Sequence, residues 1–212
     1  MSTTKYLKVK APNGKSFTVS DGNSKVKFPI INTGAAFDCP SRAWCPFDMD
    51  NHIAAGRKLC YAQKTERLYT TALESRRLNA ELIKEYNVAL AHRVADALLG
   101  KLTAKRGKWS FDTVRINESG DLSKENILFV TALTEHLRMN GIMVYLYSKA
   151  PKSLRDRAER AGATVLHSER DFVAFKDEEE LEKSGATKCS GICGPCKACP
   201  EFDGGKIGII EH

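Results

Sequence analysis

Between Phe111 and His167 the apolar pattern changes period four times, and few folds accommodate such a pattern. FDTVRI (111–116) alternates with the two-residue period of a strand. Ser123 to Asn140 has helical spacing and runs into Asn140-Gly141, a stop. IMVYLY (142–147) is a nearly unbroken apolar run, as in strands buried on both faces of a parallel sheet. Pro151 to Arg160 reads as a basic helix and ATVLH (163–167) as another strand. Strand–helix–strand–helix–strand implies parallel strands joined by right-handed crossovers. The expected fold is α/β, a βαβαβ core resembling a partial (β/α) barrel. A complete barrel takes about 250 residues, and this chain has 212.

The flanks add smaller elements. YLKVK and KSFTVS alternate around Pro12-Asn13-Gly14 and predict a β-hairpin, with KVKFPI as a third short strand. Residues 32–60 lack periodicity and read as a long ordered loop, a kind that usually serves a function. Ala62 to Leu99 contains neither Gly nor Pro, and Leu82, Tyr86, Leu90, Val94 and Leu98 form a helical stripe. That stretch is one helix or two, with Gly100 as the expected stop. GKIGII (205–210) suits a closing edge strand. Three segments follow: an N-terminal β element (1–31), an α/β core (32–188), and a Cys-rich metal-binding loop with the closing strand (189–212).

Seven cysteines fall in two groups within this frame. Cys189, Cys193, Cys196 and Cys199 lie in KCSGICGPCKACP, a C-x3-C-x2-C-x2-C-P run. Zinc sites usually draw on two Cys pairs separated by a dozen or more residues. Iron–sulfur clusters accept closely spaced cysteines, as in the bacterial C-x2-C-x2-C-x3-C-P run. The C-terminal four are therefore read as the principal cluster ligands. Cys39, Cys45 and Cys60 form a looser C-x5-C-x14-C group with His52 inside it. Three thiols alone leave an open iron on a four-iron cluster; with His52 they suit zinc. Two other readings stand beside these: plain buried thiols, and one front cysteine joining the C-terminal set.

The second constellation is VRINESGDLS (114–123), at a strand-to-helix junction where open α/β sheets bind ligands. Arg115, Glu118, Ser119 and Asp121 are its pocket candidates, joined by Tyr147 and Lys149 from the end of the next strand. The plain alternative is a turn with Ser123 as helix N-cap.

Charge sorts the partners. Six lysines against Asp21 in residues 1–35 carry most of the net charge of +7, and such a basic N-terminus attracts nucleic acid. A solvated basic surface explains it equally well. No apolar run approaches the roughly 18 residues of a membrane span, and MSTTKYLKVK lacks the apolar core of a secretory signal. The expectation is a cytoplasmic protein without membrane contact, in a compartment that keeps thiols reduced.

GNSKV (22–26), CP (39–40), CYA (60–62) with RRLN (76–79), RINESGD (115–121), YLYSK (145–149) and the C-terminal cysteine run together resemble the phage gene product 88 family. Asn117-Glu118 stands where that family favours His-Asp, and Pro200 where it favours an aromatic residue. The resemblance implies a phage-encoded protein acting in the host bacterial cytoplasm. The strand-end site and cysteine groups also resemble radical S-adenosylmethionine enzymes, which set an open four-iron cluster in a partial barrel. The C-x3-C-x2-C of that class occurs here only at Cys189, Cys193 and Cys196. The leading expectation is an iron–sulfur protein of [4Fe–4S] type with a ligand pocket at the strand ends and a redox or S-adenosylmethionine-dependent role. Its alternatives are a zinc-stapled nucleic-acid-binding protein and an electron carrier with a redox partner.

Overall fold

The computed structural model describes residues 6–45, 48, 60–167, 171–175, 177–191, 196 and 198–210. Strands β1 (Tyr6–Lys10) and β2 (Ser16–Ser20) form the expected antiparallel hairpin. Its turn places Gly14 at φ 81°, and Asn13 Oδ1 accepts the Lys15 N–H at 3.0 Å. The third strand shrinks to β3 (Ile30–Ile31). Asn23 Oδ1 accepts the N–H groups of Lys25 and Val26 and curls the segment before it, and Pro29 has no N–H for a ladder.

The Gly- and Pro-free stretch is two helices, α1 (Tyr61–Leu68) and α2 (Thr70–Thr103). Tyr69, extended at φ −128° and ψ 90°, separates them, and Asn87 bends α2 at φ 37° and ψ −111°. Gly100 does not stop α2; Leu102 packs on the core two residues later, and the helix runs to Thr103.

Next come β4 (Thr113–Ile116), α3 (Ile127–Met139), β5 (Met143–Ser148), α4 (Lys152–Arg160) and β6 (Thr164–His167). Helix α3 starts later than Ser123 because Ser123 Oγ accepts from Glu125 and Asn126 in a turn of its own, leaving Asn126 as N-cap. The fold is mixed α/β, with five α-helices among the described residues and a six-stranded sheet in the order β1-β2-β3-β4-β5-β6. Strands β3 to β6 are mutually parallel and adjacent in sequence order. The N-terminal hairpin joins this sheet through β2 and β3.

The period-two alternation sorts the sheet's faces. Ile31, Val114, Ile116, Val144, Leu146 and Val165 turn to one side, where they pack with Leu90, Val94 and Leu98 of α2, Phe129 and Leu133 of α3, and Ala158 of α4. Ile30, Tyr145 and Leu166 turn to the other, where Val26, Phe28, Cys199 and Ile207 cover them.

The C-terminal segment supplies that cover. Strands β7 (Phe172–Phe175), β8 (Thr187–Lys188) and β9 (Ile207–Ile210) form a second, parallel sheet, with α5 (Glu178–Ser184) between β7 and β8. Asp177 caps α5 through the Glu180 N–H at 2.9 Å, three glutamates fill its first turn, and Gly185 ends it at φ 68°. GKIGII is therefore the middle strand of this sheet, not an edge. Gly208 permits it: a Cβ there would lie 2.6 Å from Leu181 Cδ1.

Candidate functional site

The loop after β3 descends through repeated three-residue turns. The N–H groups of Cys39, Arg42, Cys45 and Asp48 bond the carbonyls of Ala36, Cys39, Arg42 and Cys45 in succession. Side chains three apart then stack on one side, as in a 3₁₀ spiral. Ala36, Cys39, Arg42, Cys45 and Asp48 line one wall of a cavity of about 80 Å³. Cys60, Ala62 and Gln63, at the start of α1, form a second wall, and Glu118, Ser119 and Gly120, just past β4, form a third. The front cysteines and the strand-end motif, separate in the sequence, share one site at the C-terminal ends of the parallel strands.

Buried carboxylates hold the walls in place. Asp48 accepts from Arg42 Nε and Gln63 Nε2, both at 2.7 Å, which ties the spiral to α1. Glu66, fully buried, accepts the Ala36 and Phe37 N–H groups, Ser119 Oγ at 2.7 Å and Arg76 Nη1 at 2.8 Å. Arg76 Nη2 reaches Glu118 Oε2 at 3.1 Å, and Glu118 Oε1 accepts from Asn23. Asp121 accepts Ser41 Oγ, Ser148 Oγ and the N–H groups of Leu122 and Lys149. Asp121 thus clamps the cysteine loop to the ends of β4 and β5. Gly120 seals the corner: with φ 84°, a Cβ would come within 3.1 Å of Gly34 N and O.

Electrostatics follow from this burial. Burial pushes the Cys39 thiol up to about 12; a hydrogen bond from the Ser41 backbone opposes the rise, and Asp121, Cys45 and Cys60 add to it. The mutual influence of the three thiols reflects their shared cavity.

Cys189 and Cys199 pack on the face of the sheet opposite the helices. Cys189 follows β8, its N–H bonded to Gly208 O. Cys199 is buried, and Tyr147 donates its hydroxyl to Cys199 Sγ at 3.1 Å. Burial raises the Cys196 thiol, but hydrogen bonds from Ala198 and Ser190 outweigh it and leave the thiol below its usual range. Pro200 O accepts from Thr164 Oγ1, docking the loop on β6. Cys193 and His52 lie outside the described residues. Among the described residues no three or more His, Cys, Asp or Glu side chains stand in metal-holding geometry. Cys39, Cys45 and Cys60 nevertheless line one small cavity together.

The remaining candidates fall around this rim. Arg115, on the face opposite the helices, lies over the Tyr147 ring, 4.8 Å from its centroid, and donates to Tyr61 Oη at 3.4 Å. Tyr61, next to Cys60, donates to Glu118 O at 3.2 Å. Lys149 contributes its backbone N–H to Asp121. On the basic N-terminus, Lys10 Nζ bonds Gly14 O and Lys15 pairs with Glu81 at 3.9 Å. Glu66, Arg76 and Asp48 escaped the sequence reading. A six-residue Cys39–Cys45 interval, two turns of three, was the available signal for the spiral.

The sequence model of the Gene product 88 family matches residues 7–183, most of the chain. The chain belongs to that family. The Gene product 88 match takes in Cys39, Cys45, Cys60 and the strand-end motif and stops before Cys189. No curated protein and no solved structure matches the chain. No helix among the described residues is long and apolar enough to cross a membrane.

Proposed function

We propose that this Gene product 88 protein is an iron–sulfur protein of [4Fe–4S] type, in which Cys39, Cys45 and Cys60 would hold the cluster in the cavity that Glu118, Ser119 and Gly120 also line. The observation that carries the reading is the single cavity those three thiols share with the end of β4. When bound, such a cluster supplies one-electron chemistry, and three protein ligands leave one iron for a small molecule of the S-adenosylmethionine kind.

The chain's own residues do the positioning. Arg42, Asp48 and Gln63 hold the Cys45 turn against α1. Glu66 holds the Ala36–Phe37 turn that leads to Cys39, and Asp121 holds Ser41 just after it. Parallel strands in sequence order, with α2, α3 and α4 on one face, support a partial (β/α) barrel, and barrels place their sites at the C-terminal ends of strands. In this reading the protein works in the host cytoplasm.

The test is protein purified anaerobically, assayed for iron, acid-labile sulfide and visible absorption. About four irons per chain with matching sulfide, and a brown colour bleached by dithionite, are expected. Replacing Cys39, Cys45 and Cys60 together by Ala should abolish the colour; replacing Cys189, Cys196 and Cys199 should spare it. Colour surviving the first set would move the cluster to the C-terminal run. Zinc without sulfide would replace this reading with the zinc-stapled, nucleic-acid-binding one.

A further inference from the structure

Arg115 forms no ion pair with the carboxylates that hold the cavity walls. It sits on β4 between Ile30 and Tyr145 of the neighbouring strands, on the face opposite the helices. Its Nε is buried with no hydrogen-bond partner. Among the described residues no carboxylate pairs with it, although Arg42, Arg76 and Arg77 each have one. Its contacts are aromatic: the Tyr147 ring beneath the guanidinium and the Tyr61 hydroxyl at its Nη2 edge, while the Glu118 carboxylate acts on it through space without forming an ion pair.

A guanidinium held away from water costs free energy unless an anion compensates it. Planar N–H pairs match the oxygens of a carboxylate or phosphate. The Nη2 end is the reachable one, since its contact with Tyr61 is open to solvent and Tyr61 is 53 % exposed. That same hydroxyl bonds Glu118 O, so the guanidinium edge adjoins the rim of the cysteine cavity.

We infer that Arg115, with Tyr61 and Tyr147, forms an anion subsite beside the cysteine cavity and binds the carboxylate or phosphate of the small molecule on which the protein acts. The inference deepens the proposed function by naming the substrate class as anionic, and rests on that reading only for the word substrate. The free protein holds the cation ready, and the ligand brings the countercharge. The +7 chain meets such ligands with favourable long-range attraction.

The test uses the full chain as purified anaerobically, in thermal melts against inorganic phosphate and against succinate, with sodium chloride at matched ionic strength. The expected result is a saturable rise in Tm with one of the two oxyanions beyond the chloride control. Whichever gives the larger rise identifies the group recognised. Arg115→Met should weaken that binding at least tenfold, and Arg115→Lys should weaken it less. Without added anion, Arg115→Met should melt at or above the wild-type temperature, because it removes a buried charge that has no ion-pair partner among the described residues. The same rise in Arg115→Met, or no rise in wild type, would overturn the subsite. So would a large loss of Tm in Arg115→Met without anion, which would mark Arg115 as structural. Iron content is read separately, so a colourless protein that still binds oxyanion through Arg115 would refute the cluster and leave the subsite standing.

Discussion

Glu66 shows how far one side chain can govern a site that it does not line. Its two oxygens collect backbone N–H groups from the loop after β3, a hydroxyl from the end of β4 and a guanidinium from α2. Nothing local in YAQKTERL distinguishes Glu66 from an ordinary solvated glutamate, because its partners lie 10 to 53 positions away. The residue was therefore not legible from the sequence, whereas Asp121, inside a compact polar motif, was. Glu66→Ala leaves Arg76 half-paired and four donors without an acceptor, at a cost of about 3–5 kcal/mol. Urea unfolding should show that loss. Under the proposed iron–sulfur function the variant should also hold less iron than wild type, since the turn into Cys39 loses its anchor.

At the scale of elements, the parallel strands were legible because short apolar runs buried on both faces leave a clear mark: IMVYLY became β5 and ATVLH became β6 with small changes of boundary. The cysteine loop was not. Close spacing drew the sequence reading to the C-terminal run, and nothing local showed that the widely spaced Cys39, Cys45 and Cys60 line one cavity. Turns of three bring Cys39 and Cys45 to one side, and the helix start at Cys60 meets them there. The junction of that loop with β4 depends on Gly120, whose φ of 84° and closeness to Gly34 leave no room for a side chain. Gly120→Ala should cost about 1–3 kcal/mol and push the cavity's third wall outward. A lower denaturation midpoint, with the far-ultraviolet circular dichroism of the native fold retained, is the expected signature. A midpoint equal to wild type would contradict the tight junction.

At the scale of the whole molecule, the two faces of the sheet carry different burdens: one packs helices, and the other carries the C-terminal cover and the approach to Arg115. That cover was misread as an edge because GKIGII has the pattern of a strand without any local sign of its neighbours. Stability of the whole should also report on the site through pH. The Cys39 thiol rises from 9.0 to about 12 in the fold. A raised value means that its contribution is complete below pH 9 and fades as the pH climbs toward 12. Linkage puts the loss near pH 10 at about 1 kcal/mol for the reduced, metal-free protein. Cys39→Ala should flatten that alkaline limb in urea midpoints compared at pH 8 and pH 10; an unchanged limb would place the Cys39 thiol in open water. The order of synthesis adds a last consequence. All three front thiols leave the ribosome before the wall that shelters them, and Glu118 follows Cys60 by roughly 60 residues, about 3–12 s at ordinary elongation rates. During that interval the nascent chain carries reduced thiols with no roof over them, so oxidative stress during translation should damage this protein far more than the same stress applied after folding.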